Sequence, residues 1–280
     1  MKIKKALVFQ GGGAKIFWVL GFVKWLWEIG ELAKVRLLCG TSAGGLLAIA
    51  LARYWGDFQK VLDMFLKIKK NTDIYYGKVD IWGFFKIFFT QKTCKSLLRQ
   101  SGLFKITKEH FGGYKLKDFP IDVCVTGTNL TEHKSEIYYP HLTKEYDAEI
   151  MANITSGIPL IMQCTTVNGK VKGDGGVMNN TPVLSAIKLG ATDITVLELN
   201  PIIKKYKSIK NRIIDIAPAL LETLLGGYET DMWDDIARDH PHVKIKRYAP
   251  KEKLGGMLDF TRIKKDIDAG YEFAKLNYVK

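Results

Sequence analysis

Residues 35–53 read VRLLCGTSAGGLLAIALAR, and this stretch decides the fold class. An apolar strand over Val35–Cys39 is followed by a turn and then by an apolar helix. The turn Gly40-Thr41-Ser42-Ala43-Gly44 fits the pattern G-x-S-x-G, in which a strand bends sharply into a helix. The bend lifts the Ser42 hydroxyl clear of its own backbone, so that it can attack an ester carbonyl. The stretch predicts Ser42 as a nucleophile, and an ordinary glycine-rich turn is the alternative.

The residues around this serine have separate roles. Gly40 and Gly44 stand two residues either side of Ser42 and permit the crowded approach of strand and helix. The serine lies at a helix N-terminus, where the positive end of the helix dipole favours a developing oxyanion. The N–H of Ala43, the residue after the nucleophile, is therefore a predicted oxyanion donor.

A second glycine-rich turn, Gly11-Gly12-Gly13-Ala14-Lys15, directly follows an apolar strand over Ala6–Phe9. Successive glycines let backbone N–H groups converge on one anion, either a nucleotide phosphate or the oxyanion of an acyl-transfer intermediate. The spacing fits neither a P-loop nor a full G-x-G-x-x-G, because Ile16 stands at the last glycine position. In a parallel sheet this turn and the serine turn share an edge. We expect an oxyanion hole that includes Gly11, Gly12, Gly13 and Ala14, and a nucleotide-binding module is the alternative.

A base for Ser42 is expected downstream. Asp174-Gly175-Gly176 follows a predicted hairpin over Thr165–Lys172, and its glycines let the carboxylate approach a neighbouring backbone closely. A plain Asp-Gly turn explains the same residues. The five histidines lie in no recognisable catalytic motif, although a Ser–Asp–His order stays open through His240 or His242.

The order of predicted elements is that of an α/β fold. Apolar strands alternate with helices, as in a largely parallel sheet with helices packed on it. With 280 residues and 47% hydrophobic content, the chain suits one large domain. We predict a single domain over 1–280, with a core over about 5–200, a helical insertion over about 57–112 and a C-terminal helical region over about 205–280.

Charge and cysteine content narrow the class of protein. Lysine and arginine number 42 against 29 aspartates and glutamates, and this net charge of +13 favours anionic partners. The densest basic stretch, Lys204–Arg212, carries no nucleic-acid-binding motif, so we expect no nucleic acid partner. It is either a solvated helix face or a segment attracted to anionic lipid. The four cysteines show no metal-ligand or disulfide spacing, and we expect no metal and no cofactor.

Two features bear on membranes. The N-terminus lacks a signal-peptide core, and the longest uncharged stretch, Leu37–Ala52, falls short of the ~20 residues that span a bilayer. We expect a cytoplasmic protein that can touch an anionic membrane surface from outside. The aromatic stretch 81–89 is a mobile lid, that membrane contact or a helix buried in the core. Its candidate membrane residues are Trp82, Phe84, Phe85 and Phe88.

Jointly, these motifs resemble the patatin-like phospholipases over roughly residues 5–200. Members of that family carry a glycine-rich oxyanion loop after the first strand, a G-x-S-x-G turn and a downstream D-G-[GA]. The three glycine-rich motifs of this chain follow the same order and approximate spacing. Thr155-Ser156-Gly157-Ile158-Pro159 resembles a small-residue segment of the family, and Asn180-Thr181-Pro182 resembles the segment after its aspartate.

The resemblance implies a three-layer α/β/α patatin-like fold with a mostly parallel central sheet. It also implies hydrolysis of acyl esters of phospholipids or other lipids by a Ser–Asp dyad without a histidine, here Ser42 and Asp174. An acyl-enzyme on Ser42 would then be hydrolysed by water, with the N–H groups of Gly12, Gly13 and Ala43 holding the oxyanion. A lipid-binding or interaction protein with little turnover is the remaining alternative.

Overall fold

The computed structural model describes residues 4–70, 73–74, 100–141, 145–200 and 229–279. Eight strands in this part of the chain form one sheet: β1 Lys4–Phe9, β2 Leu37–Gly40, β3 Asp122–Asn129, β4 Lys134–Tyr138, β5 Thr165–Val167, β6 Lys170–Asp174, β7 Ala191–Leu197 and β8 Lys244–Tyr248. The helices described are α1 Ile16–Glu28, α2 Ala43–Arg53, α3 Phe58–Leu66, α4 Ser101–Phe111, α5 Ala148–Thr155, α6 Val183–Lys188, α7 Glu229–Asp239 and α8 Ile263–Asn277.

The sheet brings the two glycine-rich turns together. Its order is β5-β6-β3-β2-β1-β7-β8, with β4 paired to β3. The neighbouring strands β3, β2, β1, β7 and β8 are parallel. β4 and β6 each pair antiparallel with β3, and β5 pairs antiparallel with β6. β1 and β2 run in register, with Phe9 opposite Gly40. Because their carboxyl ends share one edge, the loop after β1 lies beside the serine turn after β2.

Helices cover both faces of the sheet. Alternation along β1 sends Leu7 and Phe9 into one apolar cluster and Ala6 and Val8 into another. The first cluster includes side chains of α1, α2 and α5, and the second those of α6 and α7. Burial of each large apolar side chain contributes roughly 1.5–3 kcal/mol, so both faces stabilise the sheet. The predicted three-layer α/β/α fold with a mostly parallel sheet is confirmed.

The C-terminal helix α8 crosses α1 at two glycines. A Cβ on Gly21 of α1 would lie 1.9 Å from the carbonyl oxygen of Ile267, and one on Gly270 of α8 would lie 1.8 Å from that of Trp18. A side chain at either position would push the backbones apart. The crossing therefore fixes α8 against the helix that follows the glycine-rich loop after β1.

Element bounds differ by a few residues from the sequence predictions. β2 begins at Leu37 rather than Val35, and β1 begins at Lys4 rather than Ala6. Trp27 of α1 is 42% exposed and stacks on Phe58. Within the described ranges, no helix combines the length and the apolar character that a bilayer span requires.

Several predicted features lie outside the described residues. The described part of the insertion includes the helices α3 and α4. Trp82, Phe84, Phe85 and Phe88 and the basic stretch Lys204–Arg212 fall outside those ranges.

Candidate active site

The serine turn has the strained geometry of a nucleophile elbow. Ser42 has φ 57° and ψ −129°, a left-handed φ that non-glycine residues rarely adopt. Such a conformation costs about 1–3 kcal/mol and persists where the surroundings hold it. A Cβ on Gly40 would lie 2.2 Å from the Gly44 carbonyl oxygen, and one on Gly44 would lie 2.6 Å from that of Phe9. Both elbow glycines are thus required by the close packing of β2, α2 and β1.

A pair of threonines fixes the turn to the rest of the sheet. The hydroxyls of Thr41 and Thr126 lie 2.6 Å apart, and the Thr41 hydroxyl donates to the Asn179 carbonyl at 2.8 Å. Both threonines are fully buried. The bonds connect the elbow to β3 and to the segment after Asp174-Gly175-Gly176.

Asp174 ends β6 and is held through its backbone. Its N–H donates to the Gly157 carbonyl at 2.9 Å, and its carbonyl accepts from the Thr128 hydroxyl at 2.9 Å. Its Oδ1 accepts the Gly176 N–H at 2.7 Å. Its Oδ2 is buried and has no hydrogen-bond partner among the described residues. Asp174 therefore presents one open carboxylate oxygen inside the protein.

Burial raises the pKa of Asp174 to about 7. The nearby Ser42 hydroxyl and then the Gly176 N–H oppose this rise in pKa. The serine and aspartate side chains are therefore neighbours, although no hydrogen bond of normal geometry joins them within the described structure. A carboxylate with a pKa near neutrality is well matched to accepting and returning a proton.

The loop after β1 presents two kinds of backbone N–H. The Gly11 N–H donates to the Asn180 carbonyl at 3.1 Å, and the Ala14 N–H donates to the Met257 carbonyl at 2.7 Å. These two N–H groups are occupied by backbone carbonyls, so within the predicted loop Gly11 and Ala14 fix the backbone rather than offer a free N–H. The N–H groups of Gly12, Gly13 and Ala43 make no backbone hydrogen bond to a described residue.

The loop lies directly against the serine. A Cβ on Gly11 would lie 3.0 Å from the Ser42 Cβ, so a side chain there would crowd the Ser42 side chain. Gly13 has φ +58°, and a Cβ on it would lie 2.1 Å from the Met257 carbonyl oxygen. Glycine at both positions is needed for the loop to pass between Ser42 and the C-terminal segment.

Ser42 lines an apolar cavity that opens to solvent. Its volume is about 680 Å³, including the solvent-filled mouth. Ser42 and Ser156 carry the only polar side chains among the described lining residues. The apolar walls come from the loop after β1, α1, α2, the insertion, the segment after α5 and residues 257–260: Gly13, Ile16, Phe17, Ala43, Leu46, Met64, Phe65, Ile68, Ile74, Leu103, Ile106, Ile158, Met162, Met257, Leu258 and Phe260.

Four of the five histidines, His110, His141, His240 and His242, lie away from this site. His240 and His242 precede β8, at the amino edge of the parallel strands, whereas Ser42 follows β2 at the carboxyl edge. His141 contacts Asp122 at the start of β3, and His110 bonds Tyr54. The Ser–Asp–His order through His240 or His242 thus has no support in the topology. Among the described residues, no three His, Cys, Asp or Glu side chains form a group that could hold a metal.

A sequence model of the patatin-like phospholipase family matches residues 7–187. The chain belongs to the patatin-like phospholipase family. The matched range includes the glycine loop, the serine elbow and Asp174, but it ends before β8 and the C-terminal helix. A viral relative, the probable lipid hydrolase 463L of Invertebrate iridescent virus 6, is 27% identical over 197 residues. That alignment covers 67% of this chain and 64% of the relative, so the chain spans less than two thirds of the relative's length.

Solved structures show a more distant likeness to this patatin-like chain. VipD from Legionella pneumophila is 13% identical with a TM-score of 0.48, over 99% of this chain and 66% of that one. Human GIVD cytosolic phospholipase A2, solved with methyl gamma-linolenyl fluorophosphonate, is 11% identical with a TM-score of 0.45, over 98% and 58%. Likeness at this level is too remote to assign a function.

Sequence reasoning missed the residues that support this patatin-like site. Thr155 lies in the small-residue segment 155–159, and its hydroxyl accepts the Ser42 N–H. Thr126 and Asn179 hold Thr41. Met257 contacts the glycine loop from outside the family match, and no motif marks it. Of these four residues, only Thr155 lies in a segment that the sequence analysis identified.

Proposed function

We propose that this protein is a serine-dependent lipid acyl hydrolase of the phospholipase A or lysophospholipase type, with Ser42 as nucleophile and Asp174 as base. One observation carries the proposal: a strained serine lines an almost wholly apolar cavity, next to a buried carboxylate with an unpaired oxygen. A fatty acyl chain suits such a cavity because its apolar surface leaves water on binding.

In the first step, the Ser42 hydroxyl attacks the ester carbonyl of the bound lipid. Oδ2 of Asp174 accepts the hydroxyl proton as the new C–O bond forms. The tetrahedral intermediate then collapses, the ester C–O bond breaks, and Asp174 returns the proton to the leaving alcohol oxygen. The fatty acyl group stays on Ser42.

In the second step, water attacks the acyl-enzyme. Asp174 accepts a proton from that water, and collapse of the second intermediate releases the fatty acid and restores the Ser42 hydroxyl with that proton. The N–H groups of Gly12, Gly13 and Ala43 are the donors available to both oxyanions. Removal of one such donor costs on the order of 10²–10³ in kcat in other serine hydrolases.

The substrate class follows from the cavity and the overall charge. The cavity holds the acyl chain, and the net charge of +13 favours an anionic lipid surface over a neutral one. We therefore extend the proposal to peripheral contact with anionic membranes.

The nucleotide-binding alternative is less well supported. Two of the loop N–H groups that would bind a phosphate are occupied by backbone carbonyls. The adjoining cavity has almost no polar side chains with which to bind a sugar or base.

Ester hydrolysis by purified protein tests the proposal. We expect wild type to release fatty acid from phospholipid or lysophospholipid micelles and Ser42→Ala to lose on the order of 10³-fold or more in kcat/KM. Ser135→Ala, which changes a serine of β4 on the other side of β3, is the matched control and should retain full activity. Equal rates in folded Ser42→Ala and wild type would refute the assignment.

A further inference from the structure

The Ser42 backbone makes one contact that the proposed reaction does not use. Its N–H donates to Oγ1 of Thr155 at 3.0 Å in the protein interior. Thr155 is the last residue of α5 and is fully buried. Since 113 residues separate the two, only the tertiary fold brings this acceptor to the elbow.

This contact acts on the strained residue itself. The other bonds at the elbow involve different groups: the Thr41 hydroxyl donates to the Asn179 carbonyl, and the Ser42 carbonyl accepts the Leu46 N–H in the first turn of α2. The Ser42 N–H is buried, so its only alternative to Thr155 is to stay unpaired, which is unfavourable. The hydrogen bond therefore favours the backbone orientation that turns the Ser42 side chain toward the cavity.

Gly45 shows that the fold makes room for this bond. A Cβ on Gly45 would lie 2.7 Å from Oγ1 and 2.8 Å from Cγ2 of Thr155. Those distances are too short for any side chain, and the β-branched Thr155 has little freedom to move aside. The G-x-S-x-G pattern does not require a glycine here. Its presence is explained by the path of the Thr155 side chain to Ser42.

We propose that Thr155 is a positioning residue, whose hydroxyl oxygen holds Ser42 in its reactive conformation. The inference rests on the proposed function of Ser42. By taking the Ser42 N–H, Thr155 also leaves the Ala43 N–H as the donor that the elbow offers to the oxyanion. Thr155 touches neither the substrate nor the transferred proton.

Two substitutions separate positioning from packing. Thr155→Val keeps the shape of the side chain and removes the acceptor, whereas Thr155→Ser keeps the acceptor and removes a methyl group. We expect Thr155→Val to lower kcat and the rate of fluorophosphonate labelling at least tenfold with KM within twofold of wild type. Thr155→Ser should stay within threefold of wild type in both rates, although it leaves a small cavity and melts at a lower temperature than wild type.

Two further variants complete the set. Thr107→Val is the matched control, because Thr107 is a buried threonine of α4 whose hydroxyl donates to Asn153 of α5. It should label at the wild-type rate. Gly45→Ala displaces the Thr155 hydroxyl without altering Thr155, and it should label at least tenfold more slowly. This variant carries the test if Thr155→Val does not fold.

Exchange of the Ser42 amide proton, measured by NMR, tests the bond independently of turnover. We expect strong protection in wild type and Thr155→Ser, and exchange at least tenfold faster in Thr155→Val and in Gly45→Ala. If wild type fails to label yet shows this pattern, the hydrolase proposal is wrong and the hydrogen bond stands, but a catalytic positioning role does not. Wild-type labelling rates in Thr155→Val and Gly45→Ala, or a Thr155→Ser variant as slow as Thr155→Val, would overturn the inference.

Discussion

Residues 7–187 and the C-terminal segment 254–262 contribute to one site in different ways. The first region contains every motif of the site, and each motif is marked by glycines that the backbone geometry requires. The second region contains no motif, yet the Met257 carbonyl holds the oxyanion loop, and Met257, Leu258 and Phe260 line the cavity. A site residue that needs a special backbone geometry can be recognised from a sequence motif, whereas a cavity-lining residue placed by tertiary packing cannot.

The difference also separates two tasks. In the proposed mechanism, the motif region supplies the nucleophile, the base and the oxyanion donors, which the reaction needs whatever its substrate. The C-terminal segment supplies apolar surface and a single backbone acceptor. Substitutions in the first region should therefore abolish the reaction, and those in the second should alter its rate or its choice of acyl chain.

The largest effect is expected at Asp174. Asp174→Asn should lower kcat/KM on the order of 10³-fold, because the base for Ser42 is lost. Since the base must be ionised and burial raises its pKa to about 7, wild-type kcat/KM should fall as the pH drops below about 7. A pH–rate profile checks both. An Asp174→Asn variant with the wild-type acid limb would assign that limb to another group.

Asp174→Asn, which should lower activity, should raise stability at high pH. The folded-state pKa of Asp174 lies above its unfolded value, so the folded protein binds more protons between about pH 4 and pH 7. Its contribution to the free energy of unfolding is therefore fully present below about pH 4 and declines as the pH rises to about 7. Relative to wild type, Asp174→Asn should be roughly 2–4 kcal/mol more stable at pH 8 than at pH 4, as urea melts will show. An equal difference at both pH values would contradict burial of the ionised carboxylate.

The next effect tests the link between the two regions. Gly13→Ala adds a Cβ 2.1 Å from the Met257 carbonyl at φ +58°, and it should slow fluorophosphonate labelling at least tenfold. It should also cost roughly 2–4 kcal/mol of stability, from left-handed strain plus overpacking. Gly30→Ala is the matched control, since Gly30 has φ +73° with open space around it. That variant should lose only the strain energy, about 1–2 kcal/mol, and keep full activity. Equal labelling rates for Gly13→Ala and Gly30→Ala would show that the reactivity of Ser42 does not depend on the contact between the loop and the C-terminal segment.

A smaller effect is expected where the C-terminal helix docks. Gly270→Ala places a Cβ 1.8 Å from the Trp18 carbonyl oxygen, and this overpacking should cost about 1–3 kcal/mol. Helix propensity alone predicts the opposite sign, because alanine is favoured over glycine inside a helix by roughly 0.5–1 kcal/mol. Thermal unfolding decides between the two. A Gly270→Ala variant more stable than wild type would show that α8 does not need this close crossing.

The smallest effect should come from the Met257 side chain. Met257→Ala keeps the carbonyl that accepts the Ala14 N–H and removes apolar surface from the cavity. We expect KM for long-chain esters to rise about five- to tenfold, which corresponds to one or two lost methylene contacts. Hydrolysis of short-chain esters should be unchanged. A uniform loss for both chain lengths would mean that Met257 acts on the loop through its side chain.

The sequence was sufficient for the fold class and for the residues whose chemistry depends on local geometry. The strand, turn and helix around Ser42 and the strand that ends at Phe9 follow from short-range patterns. The hydrogen bonds of the Gly11 and Ala14 N–H groups do not follow from such patterns, because their acceptors lie about 169 and 243 residues away in the chain. Thr155 is a similar case. Its acceptor role appears only when α5 packs beside α2.

Peptide mapping after fluorophosphonate labelling tests the central claim most directly. In folded wild type we predict a single phosphonyl adduct on Ser42, formed more slowly below about pH 7 and absent from Ser42→Ala and Asp174→Asn. Failure of folded wild type to react, or an adduct on Ser156 in the same cavity instead of Ser42, would contradict the proposed nucleophile.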